Sequence, residues 1–373
     1  MLSYFTIDVR RKSNNLKNED FGRILVISLG GLGDTILGTG LCRALRQKYK
    51  NAFLCALTMW QSSATVLQRL GIFDKVIAHN FLRSQILDSI FQIWRLRKEE
   101  FDLSVIVFPA NRAHYNILSW LIGAKYRIGH EYLKGSSLAY LRFLLTYRIN
   151  QTYNMHNVEE NMKLAHALGV SYVQPEINIG TLGESYKDWA KEFLKGKNSP
   201  FLGIHPGSSP IKNHICRRWP KEKYMELACK LNERTQGTVL LFLGPDELDM
   251  VEFFQNKADN IILVRDKTIE KVAALIKNCS LFICNDSSLG HLASSLGIPE
   301  VMILGPTNVN YIHPWNVPYR IVSSNLPCSP CFEISSRPLK CLKGLNYACV
   351  RWIEVIDVLN NCIQLLYEKR LSL

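Results

Sequence analysis

Apolar residues along this chain arrive in short bursts separated by amphipathic stretches, and that order is the first guide to the fold. The run Arg23–Leu29 (RILVISL) is almost wholly apolar and short, the pattern of a strand buried on both faces. Gly30-Gly31-Leu32-Gly33 follows it, and then a helical pattern over Thr35–Tyr49. Apolar and helical segments alternate through Ala52–Met59, Val66–Leu70, Lys75–His79, Ser84–Leu96 and Leu103–Pro109. A long helix is expected over Asn157–Leu168, then a polar stretch over Tyr172–Ser185. The alternation restarts with strands expected at Phe201–His205, Thr238–Leu243, Ile261–Val264, Leu281–Cys284 and Val301–Leu304. Helices Lys221–Gln236, Leu248–Lys257, Thr268–Asn278 and Ser288–Leu296 are expected between them, and Trp352–Lys369 closes the chain as a helix. Such alternation predicts an α/β protein built from two Rossmann-like, doubly wound domains facing each other across a cleft.

Length agrees with two domains, since 373 residues exceed one ordinary core. The expected division is an N-terminal extension at 1–20, a first domain at 21–175, a linker at 176–198, a second domain at 199–350 and a C-terminal helix at 351–373. With 47% hydrophobic and 21% charged residues, wholesale disorder is excluded. The longest apolar runs, Leu103–Ala110 and Ile117–Ala124, fall well short of the roughly 20 residues that cross a bilayer. The first residues also lack the hydrophobic stretch and cleavage site of a signal peptide, so a cytoplasmic location is expected.

Charge narrows the partners. A formal net charge of +13 favours a polyanion: nucleic acid, an anionic membrane surface or a phosphorylated substrate. The excess is dispersed over short clusters (Arg10–Lys12, Arg95–Lys98, Arg217–Lys223), with no aromatic–basic recognition module, which argues against nucleic acid. A generally basic surface serving solubility is the plain alternative.

Four motifs carry candidate chemistry, each just after an expected strand, where ligands bind in sheets of this kind. In Leu29–Thr35 a glycine-rich turn leads into a helix whose first turn holds Asp34, either an N-terminal cap or a general base for a hydroxyl. The spacing is neither a dinucleotide fingerprint nor a P-loop. His205-Pro206-Gly207-Ser208-Ser209 runs on to Arg217-Arg218-Trp219-Pro220, hydroxyls and amides followed by two guanidiniums suited to a diphosphate. Asn285-Asp286-Ser287-Ser288 opens a helix that carries His291, offering amides and a positive dipole end to an anion, although Asp286 or Ser287 as a plain N-terminal cap and His291 as a buried, satisfied imidazole explain it equally. Leu243-Gly244-Pro245-Asp246-Glu247 places carboxylates where ribose hydroxyls would sit, although an ordinary acidic helix start explains it nearly as well.

Taken in order, these motifs resemble glycosyltransferase family 9, the ADP-heptose–lipopolysaccharide heptosyltransferases. ILVISLGGLGDTILGTGLCRALRQKY looks like that family's R-I-L-V-x-x-x-G-x-L-G-D start. LGIHPGSSPIKNHICRRWPKEKY looks like its H-P-G-S…K-R-W-P segment, and LFICNDSSLGHLASSLGIPEVMILGPTN like its D-T-G-x-x-H-L-A segment. Weaker similarities lie at Lys125–Gly129 and His156–Leu168, and the likeness runs from about Phe21 onward. The resemblance implies a GT-B fold and an inverting heptosyl transfer with no cofactor and no catalytic metal. Asp34 falls on the family's catalytic base. Ser208, Ser209, Arg217, Asp286, Ser287, Ser288 and His291 fall on its donor-binding segments, and Asp246 or Glu247 near its ribose-binding acid. The implied partners are a nucleotide-diphosphate sugar, ADP-heptose first, and a phosphorylated glycolipid acceptor at the inner leaflet, which makes peripheral membrane attachment an expectation. Gly31, Arg112, His114, Lys125 and Arg127 are the candidate acceptor contacts.

The chain also departs from the family pattern. Arg217 stands where the family has lysine, Ser287-Ser288 where it has Thr-Gly, and Gly40 where proline is usual. These changes keep open a different nucleotide sugar, or a polysaccharide or protein acceptor. A sugar-nucleotide-binding protein without catalysis is a more remote alternative. Cys328, Cys331, Cys341 and Cys349 raise a zinc or iron site, with reduced structural thiols read ahead of it because the second pair is too widely spaced.

Overall fold

The computed structural model describes residues 16–132, 140–171, 174–255, 260–332 and 338–371. The chain forms two compact units, the first ending at Ile177 and the second beginning at Asn178. The first sheet holds β1 (Arg23–Ser28), β2 (Phe53–Thr58), β3 (Lys75–Ala78), β4 (Leu103–Ile106), β5 (Tyr126–Glu131) and β6 (Tyr147–Asn150). The second holds β7 (Phe201–His205), β8 (Thr238–Phe242), β9 (Ile261–Val264), β10 (Leu281–Asn285), β11 (Glu300–Ile303) and β12 (Tyr319–Val322).

All pairings in both sheets are parallel. The orders are β3-β2-β1-β4-β5-β6 and β12-β11-β10-β7-β8-β9. Counted from its own first strand, each sheet therefore has the Rossmann order 3-2-1-4-5-6. The order reverses beside the first strand, between β1 and β4 and between β7 and β10. Loops leaving the carboxyl ends of those four strands diverge there and leave a crevice.

The central strands are apolar through most of their length, as over Ile24–Ile27 in β1 and Leu281–Cys284 in β10, because helices cover both faces. Ile24 and Val26 pack on one side with Leu41, Leu45, Leu103 and Met162, while Leu25 and Ile27 pack on the other with Leu57, Leu96 and Ile122. In the second unit, Leu202, Ile204, Val239, Leu281 and Ile283 join Trp219, Tyr224, Val358 and Cys362 in one core. The C-terminal helix, Val355–Leu371, thus completes the second core.

Several elements differ from the reading of the sequence. The helix expected over Thr35–Tyr49 begins at Leu32 and breaks at Gly38 into Leu32–Leu37 and Thr39–Lys48. A Cβ on Gly38 would stand 2.6 Å from Val107 Cγ1, so the break lets the loop after β4 lie close. Of the helix expected over Leu248–Lys257, residues 256 and 257 lie outside the described residues, and the rest is a 3-10 segment, Pro245–Met250, and a short helix, Val251–Phe254. Glu184–Leu194 is a helix inside the supposed linker, burying Ala190 and Leu194 and placing Trp189 4.8 Å from Lys271 Nζ. Residues 1–15 of the supposed extension lie outside the described residues, while Leu16 is already part of the first core.

Candidate functional site

In the first unit the site begins where β1 ends. Gly31 caps the helix Leu32–Leu37, and Asp34 in its first turn accepts the Gly31 N–H at 3.0 Å through Oδ2. A Cβ on Gly30 would stand 2.5 Å from that oxygen, so the close fold of carboxylate over loop demands glycine. Underneath, Thr35 Oγ1 lies 3.0 Å from Ser28 Oγ and donates to Ser63 Oγ at 3.1 Å, tying the turn to its strand. Asp34 is therefore not the N-cap itself but stands three residues inside the helix, accepting the cap residue's amide, and it stays half-buried at the carboxyl edge of the sheet.

After β4, the neighbour across the reversal point, come Arg112 and His114. Arg112 precedes the helix Ala113–Ile122, and exposed His114 stacks on Tyr115 with ring centroids 4.6 Å apart. Burial pushes the Tyr115 phenol well up, the Asp34 carboxylate adds to the shift and Arg112 opposes it. Gly31, Asp34, Arg112 and His114 therefore share one edge of the sheet.

Lys125 and Arg127 do not share it. They flank the amino end of β5, and in a parallel sheet that is the opposite edge from the loops after β1 and β4. Arg127 donates from Nε to Leu144 O at 2.6 Å and from Nη1 to Ala124 O at 2.7 Å, a scaffold role. Sequence proximity to β4 suggested an acceptor contact, but the crossover helix carries the chain back across the sheet before β5 begins.

A buried polar cluster under the loop after β4 escaped the sequence reading. His130 Nε2 lies 3.0 Å from Glu160 Oε2, and Lys163 Nζ lies 3.1 Å from the same oxygen. Burial drives the His130 pKa down; Glu160 stays below its ordinary value because His130 and the Thr152 N–H outweigh its own burial. Asn161 closes the cluster by bonding both the N–H and the carbonyl of Phe108 at 2.9 and 3.0 Å. The helix Asn157–Ala167 supplies Glu160 and Asn161, and only tertiary contact shows what they hold.

In the second unit the loops after β7 and β10 are cross-linked. Arg217 Nη1 meets Asp286 Oδ2 at 2.5 Å, with side chains only 9% and 11% exposed. Thr307 donates to the same oxygen at 2.9 Å, and the Arg217 guanidinium lies 4.0 Å from the centroid of the Phe332 ring. Burial raises the Asp286 pKa, but Arg217, His291 and Thr307 more than cancel it and hold the carboxyl below its ordinary value. Buried His291 is pulled the other way, down by burial and partly back up by Asp286. Among the described residues, buried Arg217 Nε has no hydrogen-bond partner.

The serines divide. Ser208 is buried and donates to His214 O at 2.9 Å, while Ser209 Oγ accepts the Ile211 N–H at 3.3 Å. Ser287 caps the helix Ser288–Ser295, its hydroxyl 2.9 Å from His205 Nδ1, and Ser288 supplies the first helical amide. Glu247 is buried, accepting the Gly244 N–H at 2.9 Å and lying 3.6 Å from His205 and 3.3 Å from Arg218; Asp246 beside it is exposed. A Cβ on Gly207 would stand 2.0 Å from Glu247 Oε1, so glycine lets the loop after β7 cross that carboxylate.

Two further residues organise this unit. Arg218 donates to Ser208 O at 2.6 Å and to Asp246 O at 2.7 Å. Asn285, wholly buried, accepts the Trp219 N–H at 2.9 Å and donates to Pro206 O at 2.8 Å. Between them they join three sequence motifs into one wall. A buried asparagine ending a strand beside Asp-Ser-Ser was the available signal.

The four late cysteines come together as well, lining one pocket with Pro306, Leu326 and Leu339. Burial raises Cys349 to about 11, whereas backbone amides, Tyr347's first, pull Cys341 below its ordinary value. Among the described residues, no group of three or more His, Cys, Asp or Glu side chains stands where it could hold a metal ion.

Comparison with known proteins gives one consistent result. The Pseudomonas aeruginosa lipopolysaccharide heptosyltransferase 1 is 24% identical over 181 residues, and the chain spans about half the length of that relative (48% of each). The Haemophilus ducreyi lipooligosaccharide heptosyltransferase 2 is 23% identical over 316 residues, 78% of this chain and 86% of that one. Among solved structures, the Escherichia coli ADP-heptose lipopolysaccharide heptosyltransferase II superposes with a TM-score of 0.71 at 20% identity, covering 93% of this chain and 99% of its own. The family model for glycosyltransferase family 9 (heptosyltransferase) matches residues 42–342, most of the chain. With two parallel six-stranded Rossmann sheets and a charged loop pair at each reversal point, the chain belongs to glycosyltransferase family 9.

Proposed function

We propose that this protein moves a heptose from ADP-heptose onto a phosphorylated lipopolysaccharide-core glycolipid, with inversion, in the cytoplasm at the inner face of the membrane. Family membership supports the reaction class, and likeness to the E. coli ADP-heptose lipopolysaccharide heptosyltransferase II supports the donor. The observation that carries the reading is the nearly buried Arg217–Asp286 pair, which fixes a guanidinium between the loops after β7 and β10.

The chemistry follows from these groups. The acceptor hydroxyl attacks the anomeric carbon opposite the diphosphate, the carbon–oxygen bond to the diphosphate breaks, and ADP leaves. Asp34 takes the hydroxyl proton as the new bond forms, since a neutral alcohol is a poor nucleophile near pH 7. Arg217 and the amides of Ser208, Ser209, Ser287 and Ser288 stabilise the charge that grows on the leaving diphosphate. His291, held neutral by burial, lies beside Asp286 and takes part in holding the donor. Asp246 or Glu247 receives the ribose hydroxyls, and Gly31, Arg112 and His114 meet the acceptor.

Release of nucleoside diphosphate from ADP-, GDP- and UDP-sugars, with a deacylated lipopolysaccharide-core acceptor, tests the reading. ADP-heptose should turn over fastest. A faster GDP- or UDP-sugar would replace the donor, a substitution that the exchange of lysine for Arg217 makes worth screening. Absence of acceptor-dependent release from every donor would sink the proposal.

A further inference from the structure

The helix Ile86–Arg97 is packed inside out. Only Leu96 is buried, with Ile93 leaning on the core of the first unit. Ile86, Ile90 and Trp94 recur every fourth residue, with Leu87 and Phe91 beside them, and these five are 48–78% exposed. Leu82, just before the helix, extends the stripe at 68% exposure. An amphipathic helix of a soluble protein turns such a stripe inward. A contiguous exposed apolar face on this scale marks an interaction surface.

Charge identifies the partner. Between Leu82 and Lys98 the basic residues are Arg83, Arg95, Arg97 and Lys98, against a single acid, Asp88. Lys98 Nζ sits 3.6 Å from the Trp94 ring centroid and the Arg95 guanidinium 5.8 Å from that of Phe91. Phe91 and Trp94 themselves stack at 5.7 Å. Aromatic rings and aliphatic side chains topped by cations match the boundary between acyl chains and anionic headgroups. A second copy of this chain would bring two net cationic helices together, which disfavours self-association. At 12 residues the helix is about 18 Å long, too short to span a bilayer and suited to lie in its surface. Among the described residues, no helix is long and apolar enough to cross a membrane.

We propose that Leu82–Lys98 is a docking surface for an anionic phospholipid bilayer, with Ile86, Leu87, Ile90, Phe91 and Trp94 entering the headgroup boundary and the flanking cations meeting lipid phosphates. It rests on the glycolipid-acceptor reading only for its use, since an acyl-anchored acceptor is presented at a bilayer. The test involves no sugar chemistry, so the two proposals fail separately.

The full chain is sedimented with phosphatidylcholine vesicles with and without phosphatidylglycerol, at low and high salt. Binding should require phosphatidylglycerol, weaken with salt, and fall at least about tenfold in Ile90→Ser/Phe91→Ser and again in Arg95→Glu/Lys98→Glu. Because these side chains are exposed, the variants should keep the parent's melting temperature. Trp94→Phe, which keeps an aromatic ring, removes the blue-shifted, bromolipid-quenched emission expected of Trp94 on vesicles. Failure of the parent to bind phosphatidylglycerol vesicles, or parental binding by both double variants, overturns the proposal. So does a light-scattering mass that drops in Ile90→Ser/Phe91→Ser while vesicle binding is unchanged, which would assign the stripe to a second copy.

Discussion

The two reversal points share a topology and hold charge in different ways. After β7, β8 and β10, each charge is fixed from several sides: Asp286 by Arg217 and Thr307, Glu247 by Gly244 and Arg218, with Asn285 locking the loops. After β1, Asp34 folds back over its glycine turn, accepts the Gly31 amide through Oδ2 and stays half-buried. A pocket for a multiply charged ligand needs donors that are already oriented, because their reorganisation during reaction would be costly. A proton acceptor needs only to be near the hydroxyl and in its ionised form. The same fold thus carries a densely cross-linked set of charges in one unit and a half-buried carboxylate over a glycine turn in the other.

That contrast can be broken at its most demanding point first. Asp34→Asn should lower turnover about 10²–10⁴-fold while donor affinity, read by calorimetry, stays within about twofold. Equal turnover would remove the assigned base. Arg217→Met should weaken donor binding at least about a hundredfold, because it removes the cation and leaves the Asp286 carboxylate facing a diphosphate unopposed, and it should lower stability by about 3–5 kcal/mol through the broken pair. Arg217→Lys should recover part of the affinity, and full affinity in the Met variant would show that the pair is only structural.

The glycines sharpen the comparison through stability. Gly207→Ala pushes a methyl against Glu247 and should destabilise by about 2–3 kcal/mol in denaturant melts. Gly31→Ala, whose Cβ would be 4.0 Å from Asp34 Oδ2, should change stability by less than about 0.5 kcal/mol. A reversed order would mean that the first loop is the stiffer one.

Acid should loosen both units. Burial holds His130 and His291 below the ordinary value of 6.5. Below pH 6.5 the unfolded chain therefore takes up protons that the folded chain refuses, and stability falls with pH until the folded values are passed. Each histidine contributes at most about 1.4 kcal/mol per pH unit. His291→Gln should flatten the decline of melting temperature between pH 7 and 5, and an unchanged slope would remove His291 from it. Arg127→Ala should leave acceptor KM within about twofold while lowering stability by about 1 kcal/mol, the loss of its carbonyl bonds.

Much of this was legible in the sequence because its signals are local. Strands β1, β7, β8 and β10 are continuous apolar runs, and the glycine and Asp-Ser-Ser motifs stand directly after them. Strands β5, β6 and β12 were not legible: Tyr126–Glu131, Tyr147–Asn150 and Tyr319–Val322 mix polar and apolar residues, and the neighbours that pair with them lie far along the chain. The inside-out helix Ile86–Arg97 was read as ordinary, since periodicity reveals a stripe but not which way it faces.

What the sequence by itself determined is the alternation of elements, the family resemblance and the residue types of each loop, all properties of neighbours along the chain. Only the tertiary structure decided that Arg217 holds Asp286, that Arg127 and Lys125 lie at the wrong edge, and that His130 rests on Glu160. Those pairings join residues tens of positions apart. Burial and partnership are set by what the sheets and helices bring together, and no local pattern encodes them.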